Sequence, residues 1–255
     1  MPDMLEAKKI ILPIKRDSLE LSYWDIGSGE RSIIFLHGIQ GSKRSFEHVA
    51  NSVLSKQMRI VIPDLPGFGE SAPPINNEFD LTIQAGILVH LFNALRLNKV
   101  IVFGHSLGGM LATLLLRAIP DRILAMISSE GNLTLQDCGE SRNVCETTFE
   151  DFLRFKYPEL KKKGVSASPE AFYGTATSVV EFAKSELLLN ILETSQIPVL
   201  FIRGSDSHFS TEPVGENIKN VLLPDQTHSS LAKSAAVLEA VQTFLLEKAI
   251  INRFN

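Results

Sequence analysis

The stretch Val100-Ile101-Val102-Phe103-Gly104-His105-Ser106-Leu107-Gly108-Gly109-Met110-Leu111 sets a G-x-S-x-G pattern between an apolar run and a helical one. The run before it has the length and β-branched content of a buried strand, and Met110, Leu111, Leu114 and Leu115 after it suit a helix. A strand that turns straight into a helix at Ser106 leaves no room for side chains two residues to either side, hence Gly104 and Gly108. Such a turn lifts the serine above the carboxyl edge of a sheet and aims the next helix's N-terminus at it. An incidental serine on a glycine-rich turn is the plain alternative. The flanking strand and helix favour a nucleophile.

Working outward, the same apolar, β-branched signature recurs at Ser32–Leu36, Arg59–Ile62, Lys99–Phe103, Ile123–Ser129, Pro198–Ile202 and Ile218–Leu222. Runs of that kind suit strands buried on both faces of a parallel sheet. An N-terminal pair, Lys8–Ile14 and Leu19–Ile26, closed by Gly27 and Gly29, completes eight. Between them Leu81, Ala85, Leu88, Phe92 and Leu95 share one helical face, as do Leu231, Ala235, Leu238 and Val241. Strand–helix alternation means an α/β fold: a mostly parallel eight-stranded sheet flanked by helices.

One segment breaks the rhythm. Between Ser129 and Pro198 the signals are helical: Thr147 with Glu150 reads as a capping box, and Ser168-Pro169 as an N-cap with proline at the first helical position. The expected division is therefore a core of residues 1–131 and 196–255, with a helical insertion at 132–195 between the sixth and seventh strands. Phe149, Phe152, Phe155, Phe172 and Phe182 make the insertion aromatic. They either pack it onto the sheet or line an apolar pocket beneath it.

Composition excludes several classes. Apolar residues make up 44% and charged residues 21%, which is globular. A net charge of -4 and a pI near 5.9 give no polyanion-binding surface, so no nucleic-acid partner is expected. Two cysteines, Cys138 and Cys145, are too few for a disulfide framework and are expected unpaired. Met1 to Ile11 mixes Asp3, Glu6, Lys8 and Lys9 among its apolar residues, so it lacks the core of a signal peptide. No run approaches the roughly 20 apolar residues of a spanning helix. A soluble cytoplasmic protein with no membrane partner is expected, and nothing requires a cofactor or a metal.

A serine hydroxyl needs a base to take its proton at neutral pH. Of the six histidines, His228 stands in a loop between the last strand and the last helix, where it can lean over Ser106. His48 and His90 fall on helices, and His105 adjoins Ser106 and is expected to point away from the hydroxyl.

His37-Gly38-Ile39-Gln40-Gly41-Ser42 resembles the HG-containing loop of the α/β-hydrolase superfamily, in its serine-nucleophile, esterase-like branch. Asp64-Leu65-Pro66-Gly67-Phe68-Gly69-Glu70-Ser71 resembles that family's D-x-x-G-x-G-x-S turn. With the serine turn and the late histidine, four motifs stand in family order over nearly the whole chain. The resemblance implies the α/β-hydrolase fold with 132–195 as its cap, and an oxyanion hole from the backbone N–H groups of Ile39 and Leu107. It also implies a carboxylate behind His228. The usual place is the loop after the Pro198–Ile202 strand, as G-x-x-D. Here Gly204-Ser205-Asp206-Ser207 sets the aspartate one residue early. Some relatives use the end of the preceding strand, where Glu130 stands; Glu130 is favoured, with Asp206 as the alternative acid.

The implied activity is that of a serine hydrolase cleaving a small carboxylic ester, lactone or thioester through an acyl-enzyme. A C–C bond hydrolase or acyltransferase with the same triad is one alternative, and a non-catalytic ligand receptor another. A serine at this turn argues against the haloalkane dehalogenases and epoxide hydrolases that use aspartate. The partner expected is a small acyl substrate; its identity and the oligomeric state stay open.

Overall fold

The computed structural model describes residues 5–209 and 211–251. Asp3 of the N-terminal reading, and residues 1–4, 210 and 252–255 of the expected core ranges, lie outside the described residues. Strands β1 (Lys8–Ile14) and β2 (Asp17–Ile26) form an antiparallel hairpin, and β2 then pairs antiparallel with β4 (Arg59–Pro63). From β3 (Ser32–Leu36) onward the ladder is parallel, through β5 (Val100–His105), β6 (Ile123–Ser129), β7 (Val199–Gly204) and β8 (Ile218–Leu223). The eight strands stand in the order β1-β2-β4-β3-β5-β6-β7-β8.

Side-chain alternation sends each central strand's residues into two cores. Ile33 and Phe35 of β3 join Ile101 and Phe103 of β5 on one face, while Ile34, Leu36, Val100 and Val102 face the other. Both faces are covered, so these strands read as continuous apolar runs. Beside β4 lies the short α1 (Leu54–Gln57). Helices α2 (Leu81–Ala94) and α3 (Leu107–Ala118) bury their apolar sides in one core. Asp80 starts α2 by accepting the Thr82 N–H at 2.7 Å.

Between β6 and β7 come α4 (Gly139–Cys145), α5 (Phe149–Asp151), a π-helical turn over Phe152–Lys156, α6 (Tyr157–Lys162), α7 (Pro169–Lys184) and α8 (Leu187–Glu193). Ser168 caps α7 as read from sequence, its hydroxyl accepting the Ala171 N–H at 3.1 Å. The other cap sits one residue later than expected. Thr148 accepts the Asp151 N–H at 3.1 Å, while Thr147 gives its hydroxyl to the Val144 carbonyl that ends α4.

The C-terminal helical face is broken in two. Leu231 closes the one-turn α9 (His228–Leu231), capped by Thr227, and α10 (Ala235–Glu247) starts afresh after the extended Ser234. Leu231, Val237 and Val241 still reach one core, together with Phe244 and Leu245. Among the described residues no helix is long and apolar enough to cross a membrane.

Candidate active site

Ser106 joins β5 to α3 at φ 54° and ψ −119°, a left-handed conformation costly for a residue with a Cβ, on the order of 1–3 kcal/mol. The surroundings hold it there. A Cβ at Gly104 would lie 2.1 Å from the Gly108 carbonyl oxygen, and one at Gly108 2.0 Å from the Leu36 carbonyl oxygen. Only glycine permits that approach. The Ser106 N–H donates to the Ser129 carbonyl at 3.0 Å, tying the turn to β6. Its hydroxyl is buried and donates to Asn132 Oδ1 at 3.3 Å.

Glu130 directly follows β6, also at positive φ (49°), and is fully buried. Burying a carboxylate is costly unless donors replace its water. Here Oε1 accepts the Gly204 N–H at 2.8 Å, and Oε2 accepts the Ser207 hydroxyl at 2.9 Å. Oε2 also meets His228 Nδ1 at 2.6 Å. That contact directs the Nδ1 proton to the carboxylate and leaves Nε2 free to accept one. Phe209 stacks flat on the His228 ring, 4.6 Å between centroids at 11°. Asp206 lies on an exposed turn, where its carboxylate accepts the Ser205 hydroxyl at 2.8 Å and its N–H goes to the Gln226 carbonyl. Glu130, and not Asp206, is the carboxylate at the imidazole.

The loop after β3 is pinned from below. His37 Nε2 accepts the Leu65 N–H at 3.0 Å and its Nδ1–H donates to the Gly38 carbonyl at 2.8 Å. Burial holds its pKa below the ordinary imidazole range, in keeping with this neutral tautomer. Six residues on, buried Lys43 meets Asp64 Oδ2 at 2.6 Å, which ties the loop to the turn after β4. A Cβ at Gly69 would strike that same Asp64 carboxylate. Neither the Ile39 nor the Leu107 N–H has a backbone acceptor among the described residues, so both donors are uncommitted.

The His105 ring packs against His228, 4.6 Å between centroids at 32°. Burial first, then His228, drives its pKa well below the ordinary value, and Nδ1 pairs with the Ser129 carbonyl at 3.1 Å. A neutral ring in that state adds no charge beside His228. His90 is exposed on α2, and His48 is half-buried on the 3-10 helix Lys43–Asn51.

A cleft of about 410 Å³ opens over Ser106 and His228, walled by Ile39, Asn132, Cys138 and Phe209. Gln40 donates to Glu140 of α4 across its edge. The insertion's aromatic rings line none of it. Phe152 and Phe172 are fully buried and stack at 5.9 Å, with Tyr173 and Tyr157 against Phe152. Phe152 and Phe172 pack the insertion, while Phe149 and Phe155 are exposed. Cys138 and Cys145 are both free, and burial pushes the Cys138 thiol up to about 12, so it stays protonated. No cluster of three or more His, Cys, Asp or Glu fit for a metal occurs among the described residues.

Asn132, Ser207, Phe209 and His208, the last 6.0 Å from the His228 ring, carry no motif that marks them in the sequence. Their one sequence signal is position, in loops that follow strand ends.

Residues 31–178 match the model of the alpha/beta hydrolase fold family. The match includes Ser106 and Glu130 but stops short of His228. Among curated proteins, epoxide hydrolase 2 of Siraitia grosvenorii is 32% identical over 116 residues, 45% of this chain and 36% of that one. The chain spans less than half the length of such curated relatives. An esterase from Thermogutta terrifontis superposes with a TM-score of 0.75 at 21% identity, covering 95% of this chain and 99% of that one. A structure from a study of carboxylesterases of Nitrososphaera gargenis gives 0.76 at 18%, covering 94% and 99%. At these identities the two structures speak for the fold alone.

Proposed function

This chain belongs to the alpha/beta hydrolase fold family, and on that premise we propose that it is a serine hydrolase of small carboxylic esters or lactones. The observation that carries the reading is the 2.6 Å contact between His228 Nδ1 and the buried Glu130, beside a serine held at φ 54°. Ser106 is the nucleophile, His228 the general base and Glu130 its partner. In the free protein the serine hydroxyl rests on Asn132. Bound substrate would turn it toward Nε2, since catalytic hydrogen bonds often tighten only in the complex.

Ser106 Oγ then bonds to the substrate carbonyl carbon as its proton passes to His228 Nε2, and the carbonyl oxygen takes the negative charge. The N–H groups of Ile39 and Leu107 stabilise that oxyanion. The imidazolium, balanced by Glu130, returns its proton to the leaving oxygen as the ester bond breaks. Water, deprotonated by the same base, attacks the acyl carbon; the bond to Ser106 Oγ breaks, the imidazolium returns its proton to that oxygen, and the acid leaves. Serine offers no carboxylate for the aspartate-nucleophile chemistry of the epoxide hydrolases. The unpaired Cys138 and Cys145 fit a reducing compartment such as the cytoplasm.

The cleft's walls are polar for the most part, with Asn132, His208 and Ser229 among them, which favours a short acyl group over a long one. A panel of 4-nitrophenyl esters from acetate to decanoate is expected to show turnover fastest at two to four carbons, by roughly tenfold or more over ten. A maximum at eight to ten carbons would refute the short-acyl reading, and no turnover with any ester would favour a receptor.

The same panel tests the aromatic insertion. Phe152→Ala is expected to lower stability in urea by about 3–5 kcal/mol, because it empties a fully buried ring site. The order of preference along the panel should stay as in the parent protein. A changed order at unchanged stability would restore these rings to the pocket.

A further inference from the structure

The loop after β7 reads Gly204-Ser205-Asp206-Ser207-His208-Phe209. Its aspartate turns outward, and the side chain that reaches the Glu130–His228 pair is Ser207. The hydroxyl donates to Glu130 Oε2 at 2.9 Å, the same oxygen that meets His228 Nδ1 at 2.6 Å. The Phe209 N–H donates to Ser207 Oγ at 3.3 Å, occupying that oxygen as an acceptor and leaving its proton for the carboxylate. Gly204 holds the other carboxylate oxygen, and the Phe209 ring covers the imidazole. One short loop therefore grips the acid at both oxygens and the base at its face.

Glutamate has one more rotatable bond than aspartate, so a glutamate acid has more freedom to lose. The Gly204 N–H holds Oε1 but leaves the carboxylate able to pivot about that contact, carrying Oε2 with it. We propose that Ser207 is a positioning residue of the hydrolysis described above, fixing Glu130 Oε2 where His228 Nδ1 meets it. The proposal rests on the serine-hydrolase reading and adds to it. Ser207 touches no substrate atom and acts through Glu130.

The test pairs two β-branched variants of the same shape, Ser207→Thr with a hydroxyl and Ser207→Val without one, and adds Ser207→Ala. Each is made in the full chain and in a Glu130→Ala background. With 4-nitrophenyl acetate, Ser207→Ala and Ser207→Val are expected to lower kcat about tenfold, with KM within about twofold of the parent. Ser207→Thr should recover to within about threefold of the parent. In the Glu130→Ala background, Ser207→Ala should change kcat by less than about twofold, because a group that acts through a missing partner has nothing left to lose. Parent-like kcat in Ser207→Ala and Ser207→Val overturns the proposal. So does an equal tenfold loss with or without Glu130, which would place Ser207 in a purely structural role. Parent-like activity in Glu130→Ala itself would instead overturn the triad reading on which the proposal stands.

Discussion

Ser106→Ala is expected to lower kcat toward 4-nitrophenyl acetate by at least ~10³-fold, with the fold intact. The substitution removes one oxygen atom and keeps the Cβ, so the backbone at φ 54° is strained to the same degree in both proteins. Gly104 and Gly108 still enforce the turn, and the N–H groups of Ile39 and Leu107 remain in place. Any residual rate then measures the oxyanion donors and binding without a nucleophile. A fluorophosphonate probe should label the parent protein on Ser106 and leave the variant unlabelled. Equal labelling of the two would show that another group attacks. Cys138 is a poor candidate for that group, since burial keeps its thiol protonated near neutral pH.

The second large effect separates the carboxylates. Glu130→Gln should lower kcat by at least ~100-fold, and Asp206→Asn should stay within roughly tenfold of the parent. The amide keeps the shape of the side chain but carries no charge to balance an imidazolium. It can also turn its NH₂ toward His228 and impose the wrong tautomer. Burial sharpens the effect, because no water screens the loss at a fully enclosed site. Asp206 contacts Ser205 on an exposed turn, so its charge acts on His228 only through solvent. A reversed order would mean that the loop after Gly204 rearranges to bring Asp206 inward when substrate binds.

The strands were legible because their signals are local. Val100–Phe103 and Ile33–Leu36 are apolar at every position, as burial on both faces demands, and β5 differs from its reading at both ends: Lys99 turns through φ 52° ahead of the strand, which runs on through Gly104 and His105. The serine turn was legible for the same reason: two glycines four residues apart state a steric requirement within one turn. Glu130 could be narrowed to one of two, because the topology allows an acid at either strand end. Its other partners could not be read at all. Asn132 finds Ser106 across 26 residues, and Ser207 finds Glu130 across 77, through loop paths that no periodicity encodes. The aromatic insertion was ambiguous on physical grounds, since a ring that packs a helix and one that lines a pocket have the same sequence signature. The caps show how short-range the errors are. Thr147 and Thr148 are both competent, and the end of α4 claims the first.

The spacing of Glu130 and His228, 98 residues apart and placed after β6 and β8 on either side of β7, also bears on how the protein is made. The sheet adds β5, β6, β7 and β8 at one edge in the order of synthesis. A ribosome adding ~5–20 residues per second leaves roughly 5–20 s between the emergence of Glu130 and that of His228. Until β7 (Val199–Gly204) follows, β6 is an open edge, with its backbone groups unpaired toward the missing strand and Glu130 without its Gly204 donor. A growing chain can thus carry a formed serine turn and yet have no means of activating it, so the cell is not exposed to a half-built hydrolase. The cost falls elsewhere: a chain stalled or cut before Gly204 presents a strand edge open to pairing with other chains. For such a chain the expected hazard is the exposed edge of β6.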